Sequence, residues 1–291
     1  MLTTKLNQRL RELQTPTPAQ AQVLERELRG LQEQLLTTSQ RMREQVRDPI
    51  PLPLPSLPQT FVGRVTELEI LRRTLRQDDN PLTLIVAPAG FGKTTLVTKL
   101  LSEVASAHRL TDPGLFGVLY LSCQDGTLSL ERVFSLAGRM LGREETFHGV
   151  CTGRGMPLAG KLAFFFGELS KAGTAWLVLD NLESLLREDD SFRDPDLAVW
   201  FEVALSTSHS LRLIVTSRSV PRFPGSEKLK PPALSRGLDE DEAILYLRRE
   251  GAECGLADAP EELLRTLVRR LDGIPKALES VVGYLAQRYP V

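Results

Sequence analysis

The chain has 291 residues, 42% hydrophobic and 25% charged, which gives ordinary globular proportions and ample length for a buried core. A formal net charge of -1 offers no general electrostatic attraction to nucleic acid or to an anionic membrane, so neither partner is expected. Three cysteines without C-x-x-C spacing (Cys123, Cys151, Cys254), three scattered histidines, and no signal-like or membrane-length apolar run argue against a disulfide framework, a zinc site or a membrane span, and favour a soluble, cytoplasmic protein.

Residues 1–47 are rich in Leu, Gln, Arg and Glu. Leu6, Leu10 and Leu13 make a short stripe before T-P-T-P, where proline ends a helix. Leu24, Leu28, Leu31 and Leu35, extended by Met42 and Val46, follow a near-heptad period. The pattern predicts a short helix, a turn and a long amphipathic helix. That helix either packs on the main domain or pairs, coiled-coil-like, with a second copy or a protein partner. Residues 48–59 follow with five prolines between Asp48 and Pro58, the composition of an extended linker and the best domain boundary in the chain.

From residue 60 to about 237 short, nearly continuous apolar runs alternate with helical patterns. The runs are L-T-L-I-V-A (82–87), L-F-G-V-L-Y-L (115–121), A-W-L-V-L (175–179) and L-R-L-I-V-T (211–216). Continuous rather than alternating hydrophobicity suits strands buried on both faces of a parallel sheet, so an α/β core is expected. Between the first run and a helix beginning near Lys93 lies A-P-A-G-F-G-K-T-T, residues 87–95.

That stretch reads as a phosphate-binding loop. The turn Ala89, Gly90, Phe91, Gly92 allows backbone N–H groups to converge on phosphate oxygens, and the positive end of the new helix points at the same place. Lys93 is placed to reach β- and γ-phosphates, the Thr94 hydroxyl to ligate Mg²⁺, and Thr95 to touch the α-phosphate. Ala87 stands where the motif has Gly, which is tolerable if its φ is negative.

Asp180 ends the buried run of 175–179. An unpaired carboxylate there is costly, which predicts a second Mg²⁺ ligand, the alternative being a cap on the following turn. The position after it, often an acid that activates water, is Asn181, which cannot act as a base. Glu183 is the available acid, so slow turnover is expected. Arg218 follows the run at 211–216 and projects either into the ligand crevice, onto a γ-phosphate, or to solvent. Beyond residue 238 only helical patterns remain, and residues 238–291 are expected to form a small all-helical lid subdomain.

The ordered blocks T-F-V-G-R-V-T-E-L-E-I-L, A-P-A-G-F-G-K-T-T-L, L-V-L-D-N-L-E, I-V-T-S-R and L-D-G-I-P-K-A-L resemble the STAND class of P-loop ATPases, and within it the NB-ARC-type nucleotide switch, over roughly residues 60–288. The resemblance implies a core of about five mostly parallel strands with the phosphate-loop strand near the centre, and ATP/ADP with Mg²⁺ as cofactors. It also implies adenine contacts from Val62 and Arg64, and packing of Pro275 near adenine or ribose. G-I-P-K departs from the family's G-x-P-L, and the chain lacks room for the family's usual winged-helix and repeat modules. An ATP/ADP-dependent switch with slow hydrolysis is the leading expectation, the catalytic set being Lys93, Asp180, Glu183 and Arg218. A ring-forming AAA+-like remodeller and a scaffold with structural nucleotide are the alternatives.

Overall fold

The computed structural model describes residues 60–76, 81–107, 115–229, 234 and 236–288. The helical segment expected over 1–47 and the linker over 48–59 lie outside the described residues.

Four strands, β1 (Leu82–Val86), β2 (Leu115–Ser122), β3 (Thr174–Asp180) and β4 (Leu211–Ser217), form one sheet in the order β1-β4-β3-β2, every pair parallel. They are the four apolar runs read from the sequence. Because successive side chains alternate across a strand, each run feeds two cores. Leu82, Leu84, Leu177, Leu179, Leu213 and Val215 face one cluster, and Ile85, Val118, Trp176, Val178 and Ile214 face the other.

The second face is covered by α1 (Val65–Arg76), which buries Leu68, Leu71 and Leu75, and by α2 (Lys93–Ala107), which buries Leu96, Val97, Leu100 and Leu101. The first face is covered by α3 (Leu130–Met140), α4 (Glu144–Thr152), α5 (Leu158–Ala172) and α6 (Pro195–Ser206). Their aromatic residues interlock: the Phe165 and Phe166 rings lie 6.1 and 5.8 Å from Trp200. Caps start these helices where the sequence supplies them. Ser129 accepts from the Arg132 N–H, and Asp194 accepts from the Asp196 N–H ahead of Pro195.

Three further helices, α7 (Glu240–Glu250), α8 (Glu261–Arg270) and α9 (Pro275–Arg288), enclose a third cluster around Leu247, Leu264 and Leu278. Asp239 and Glu242 form a capping box at the start of α7. No helix among the described residues is long and apolar enough to cross a membrane.

Four strands are present among the described residues where about five are implied by the resemblance, and β1 stands at one edge of them rather than near the centre. The sequence offers four apolar runs of strand length. On the side of β1 away from β4, the Leu234 N–H donates to the Val86 carbonyl at 3.4 Å.

Candidate functional site

The site grows from the carboxyl ends of the strands. Ala87 continues β1, is buried, does not have positive φ, and donates its N–H to the Ser217 carbonyl at 3.3 Å. Its methyl group is therefore accommodated in the strand end without backbone strain. Gly90 and Gly92 take φ of +83° and +85°, the left-handed region in which a Cβ is penalised. The chain then enters α2 at Lys93, with the Leu96 N–H bonded to the Gly92 carbonyl at 2.9 Å. Lys93 is 7% exposed, and its Nζ donates to the carbonyls of Ala87 (2.7 Å) and Pro88 (3.1 Å). Burial holds its pKa below the usual lysine value. Arg218 adds to that effect, while Glu183 and Asp180 oppose it. A neighbouring anion would relieve this penalty.

Strand parity sets the second half. Val118 and Tyr120, Val178 and Asp180, and Ile214 and Thr216 alternate onto the sheet face where α2 begins. Asp180 is 1% exposed. Three hydroxyls donate to its carboxylate: Thr94 at 3.0 and 2.9 Å to the two oxygens, Tyr120 at 2.8 Å and Thr216 at 2.5 Å. Thr216 also accepts from the Asn181 N–H at 2.9 Å, fixing the turn in which Asn181 takes φ +62°. The carboxylate raises the Tyr120 pKa, secondary to burial, so the phenol stays a donor. Hydroxyl and carboxylate oxygens side by side form a hard donor set of the kind Mg²⁺ takes.

These parts surround a cavity of about 260 Å³. Its floor is Ala89, Gly90, Gly92, Lys93, Thr94 and Thr95, and one wall is Asn181, Glu183 and Arg218. The other wall is the first turn of α9, with Pro275, Lys276 and Glu279. Across the first wall Arg218 Nε pairs with Glu183 Oε1 at 2.9 Å, while Glu183 Oε2 is buried with no hydrogen-bond partner among the described residues. From the second wall the Lys276 backbone N–H donates to the Gly90 carbonyl at 3.1 Å.

Of the residues singled out in the sequence, Ala89, Gly90, Gly92, Lys93, Thr94, Thr95, Glu183, Arg218 and Pro275 therefore meet in one cavity, and Asp180 lies against it through the Thr94 hydroxyl. Phe91, Val62 and Arg64 do not line it. Phe91 packs on the α1/α2 cluster. Val62 is buried, and Arg64, at φ +59°, uses its guanidinium on Glu67 (2.7 Å), the Phe91 carbonyl (3.4 Å) and the Arg236 carbonyl (2.9 Å). Arg64 thus braces the back of the loop against the segment leading to α7. Sequence reasoning passed over Tyr120, Thr216 and Glu279, and marked Lys276 as a departure from the family pattern, beside the nucleotide or on the lid surface. The first two carried a signal, as polar groups inside apolar strands at the same height as Asp180, and Glu279 carried none.

A sequence profile of the AAA domain matches residues 61–216, more than half of the chain. The chain belongs to the AAA-domain family. This AAA-domain protein is 28% identical over 231 residues to a probable disease resistance protein of Arabidopsis thaliana, a match covering 78% of this chain and 25% of that one. It is 25% identical over 235 residues to an uncharacterized WD repeat-containing protein of Nostoc sp., covering 77% of this chain and 18% of that one. The chain spans about a quarter or less of the length of these curated relatives.

Among solved structures, a Walker-type ATPase of Pyrococcus abyssi superposes with a TM-score of 0.53 at 18% identity, covering 82% of this chain and 74% of that one. Drosophila ORC bound to DNA superposes at 0.51 with 15% identity, covering 86% and 61%. At such identities the likeness is one of fold, that of the P-loop ATPases.

Proposed function

We propose that this AAA-type P-loop domain is an ATP/ADP-dependent switch of the NB-ARC kind, with slow Mg²⁺-dependent hydrolysis. The observation that carries the reading is the shared cavity: the phosphate loop, the acid and arginine after β3 and β4, and the first turn of α9 all line it. A nucleotide between them contacts core and C-terminal helices together, so a ligand that binds one arrangement better shifts the population toward it. The likeness to a disease resistance protein supports the NB-ARC affiliation.

In this reading the loop N–H groups and Lys93 bind the phosphates, and Thr94 and Asp180 hold Mg²⁺, which when bound neutralises phosphate charge and polarises the phosphoryl oxygens. The donor set and the buried, unpartnered Glu183 Oε2 fit that use. Turnover is slow because the residue after Asp180 is an amide and the nearest acid, Glu183, is engaged by Arg218. A γ-phosphate competes with Glu183 for Arg218, so the pair distinguishes triphosphate from diphosphate. The N-terminal segment would then carry the change to a second copy or a partner in a regulatory role.

The test is nucleotide content and turnover of the purified protein beside Lys93→Ala and Asp180→Ala. Retained ADP and hydrolysis well below one per second in the wild type, both lost in the variants, support the switch. Turnover of several per second with ring assembly would replace it with the remodelling AAA+ reading.

A further inference from the structure

The side chain of Arg218 is 62% exposed, yet its Nε holds Glu183 Oε1 at 2.9 Å across the cavity wall. A solvated ion pair does not by itself keep a long side chain in one place. The aim of Arg218 therefore depends on the backbone that carries it. That backbone lies one residue past β4, and the segment beyond it is fastened to a hairpin that follows Glu183.

The hairpin spans residues 185–193. In its stem Leu186 bridges Phe192 in antiparallel sense, the Arg193 N–H donates to the Leu185 carbonyl at 2.9 Å, and the Arg187 N–H to the Ser191 carbonyl at 2.8 Å. The Asp190 N–H closes the turn on the Arg187 carbonyl at 3.0 Å, and Asp190 takes φ +63°. This is the left-handed position of a three-residue hairpin loop, which glycine ordinarily fills. Here it carries a carboxylate, and the carboxylate is used. Ser219 Oγ donates to Asp190 Oδ1 at 2.5 Å, and the Arg222 N–H donates to the Asp190 carbonyl at 2.8 Å. Asp190 thus ties down both ends of the chain from 219 to 222. Behind it, the Phe192 and Phe223 rings both pack on Phe201 of α6, at 4.9 and 5.5 Å, so hairpin and segment share one apolar support.

We propose that Asp190 is a positioning residue for nucleotide discrimination: through Ser219 it fixes the backbone of Arg218 opposite Glu183, where the guanidinium exchanges the carboxylate for a terminal phosphoryl group. The inference rests on the reading of Arg218 given above. It puts a determinant of the preference for triphosphate over diphosphate at the tip of a hairpin, on a residue that does not line the cavity.

Isothermal titration of the full chain with Mg²⁺ and either ADP or a non-hydrolysable ATP analogue tests this, with urea unfolding to check that each variant folds. Arg218→Gln is expected to weaken the analogue about tenfold and to leave ADP within about twofold. Asp190→Ala and Ser219→Ala should each weaken the analogue at least about threefold by misplacing the guanidinium, again sparing ADP. The double variant should lose no more than either single one, because both remove the same bond. Asp190→Asn keeps the acceptor and tolerates the left-handed φ, so it should match wild type. Ser219→Ala leaves the turn residue untouched and decides the matter if Asp190→Ala does not fold. Equal weakening of both nucleotides, no weakening, or an Asp190→Asn variant that behaves as Asp190→Ala overturns the assignment while Arg218 keeps its role. An Arg218→Gln variant with the wild-type ratio of the two affinities overturns the reading of Arg218, and the assignment with it. A wild type that binds neither nucleotide overturns the site itself.

Discussion

At the scale of the residue, Asp180 poses the sharpest energetic problem in the molecule. A carboxylate 1% exposed must be compensated, and the compensation comes from three hydroxyls on three different elements. The hydroxyls are not equivalent. Tyr120 donates to one oxygen and does nothing else at the site, whereas Thr216 donates to Asp180 and accepts from the Asn181 N–H. Tyr120→Phe should therefore cost about 1.5–3 kcal/mol, the worth of a hydrogen bond to a charged group. Thr216→Val should cost more, because it also removes the acceptor of the Asn181 N–H in a half-buried turn. Urea unfolding of the two variants checks the ordering, and equal costs would show that Thr216 does not hold the turn. Cys123 beside them is fully buried, and burial first, then the Asp180 charge, pushes its thiol up to about 12. The folded protein should accordingly not be alkylated at Cys123 at pH 8, and labelling there before unfolding would contradict the packing around Asp180.

At the scale of the element, the entry to the C-terminal helices depends on backbone packed against backbone. Gly273 has φ +60°, and a Cβ on it would sit 2.4 Å from the Leu238 carbonyl oxygen; the Leu238 N–H in turn donates to the Gly273 carbonyl at 2.8 Å. Gly283, within α9, has nothing within 4 Å of a built Cβ. The same substitution should thus act with opposite sign. Gly273→Ala is expected to destabilise by about 1–3 kcal/mol through left-handed strain and collision. Gly283→Ala is expected to stabilise by about 0.8–1 kcal/mol through helix propensity. Chemical denaturation of both decides it, and a Gly273→Ala variant as stable as wild type would mean that the junction yields.

This contrast also marks what the sequence could tell. The four strands, the loop glycines and the three last helices were legible because each follows from a local period or a local motif. G-I-P read locally is a helix break. Its packing on residue 238 is a long-range backbone contact that leaves no pattern in either segment. The same holds for Tyr120 and Thr216, whose meeting with Asp180 depends on strand order and register. The resemblance implies Arg64 at the base; its guanidinium meets the Glu67 carboxylate and carbonyls contributed from residues 91 and 236.

At the scale of the whole described molecule, two apolar clusters fill the faces of the sheet, and the third lies apart, wholly within the C-terminal helices and their connections. Polar and backbone contacts join the third to the rest. The Lys276 N–H bonds to the Gly90 carbonyl, Gly63 lies close against the Glu242 carboxylate, and the Arg64 guanidinium bridges residues 91 and 236. A junction tied by polar and backbone contacts is the kind that permits relative movement, and a ligand spanning it should matter more to cooperativity than to either part alone. Arg64→Ala removes the bridge while leaving all three clusters intact. Calorimetry of the variant is therefore expected to resolve two transitions where the wild type has one, with the C-terminal helices melting first. Saturating nucleotide, bound only when both walls of the cavity are in place, should merge them again by mass action, worth about 2.7 kcal/mol at a hundredfold excess over Kd. A single unshifted transition in Arg64→Ala would locate the coupling in the contact between α9 and the phosphate loop instead. If nucleotide raised only the higher transition, the ligand would belong to the core alone, and the switch reading would lose its mechanical basis.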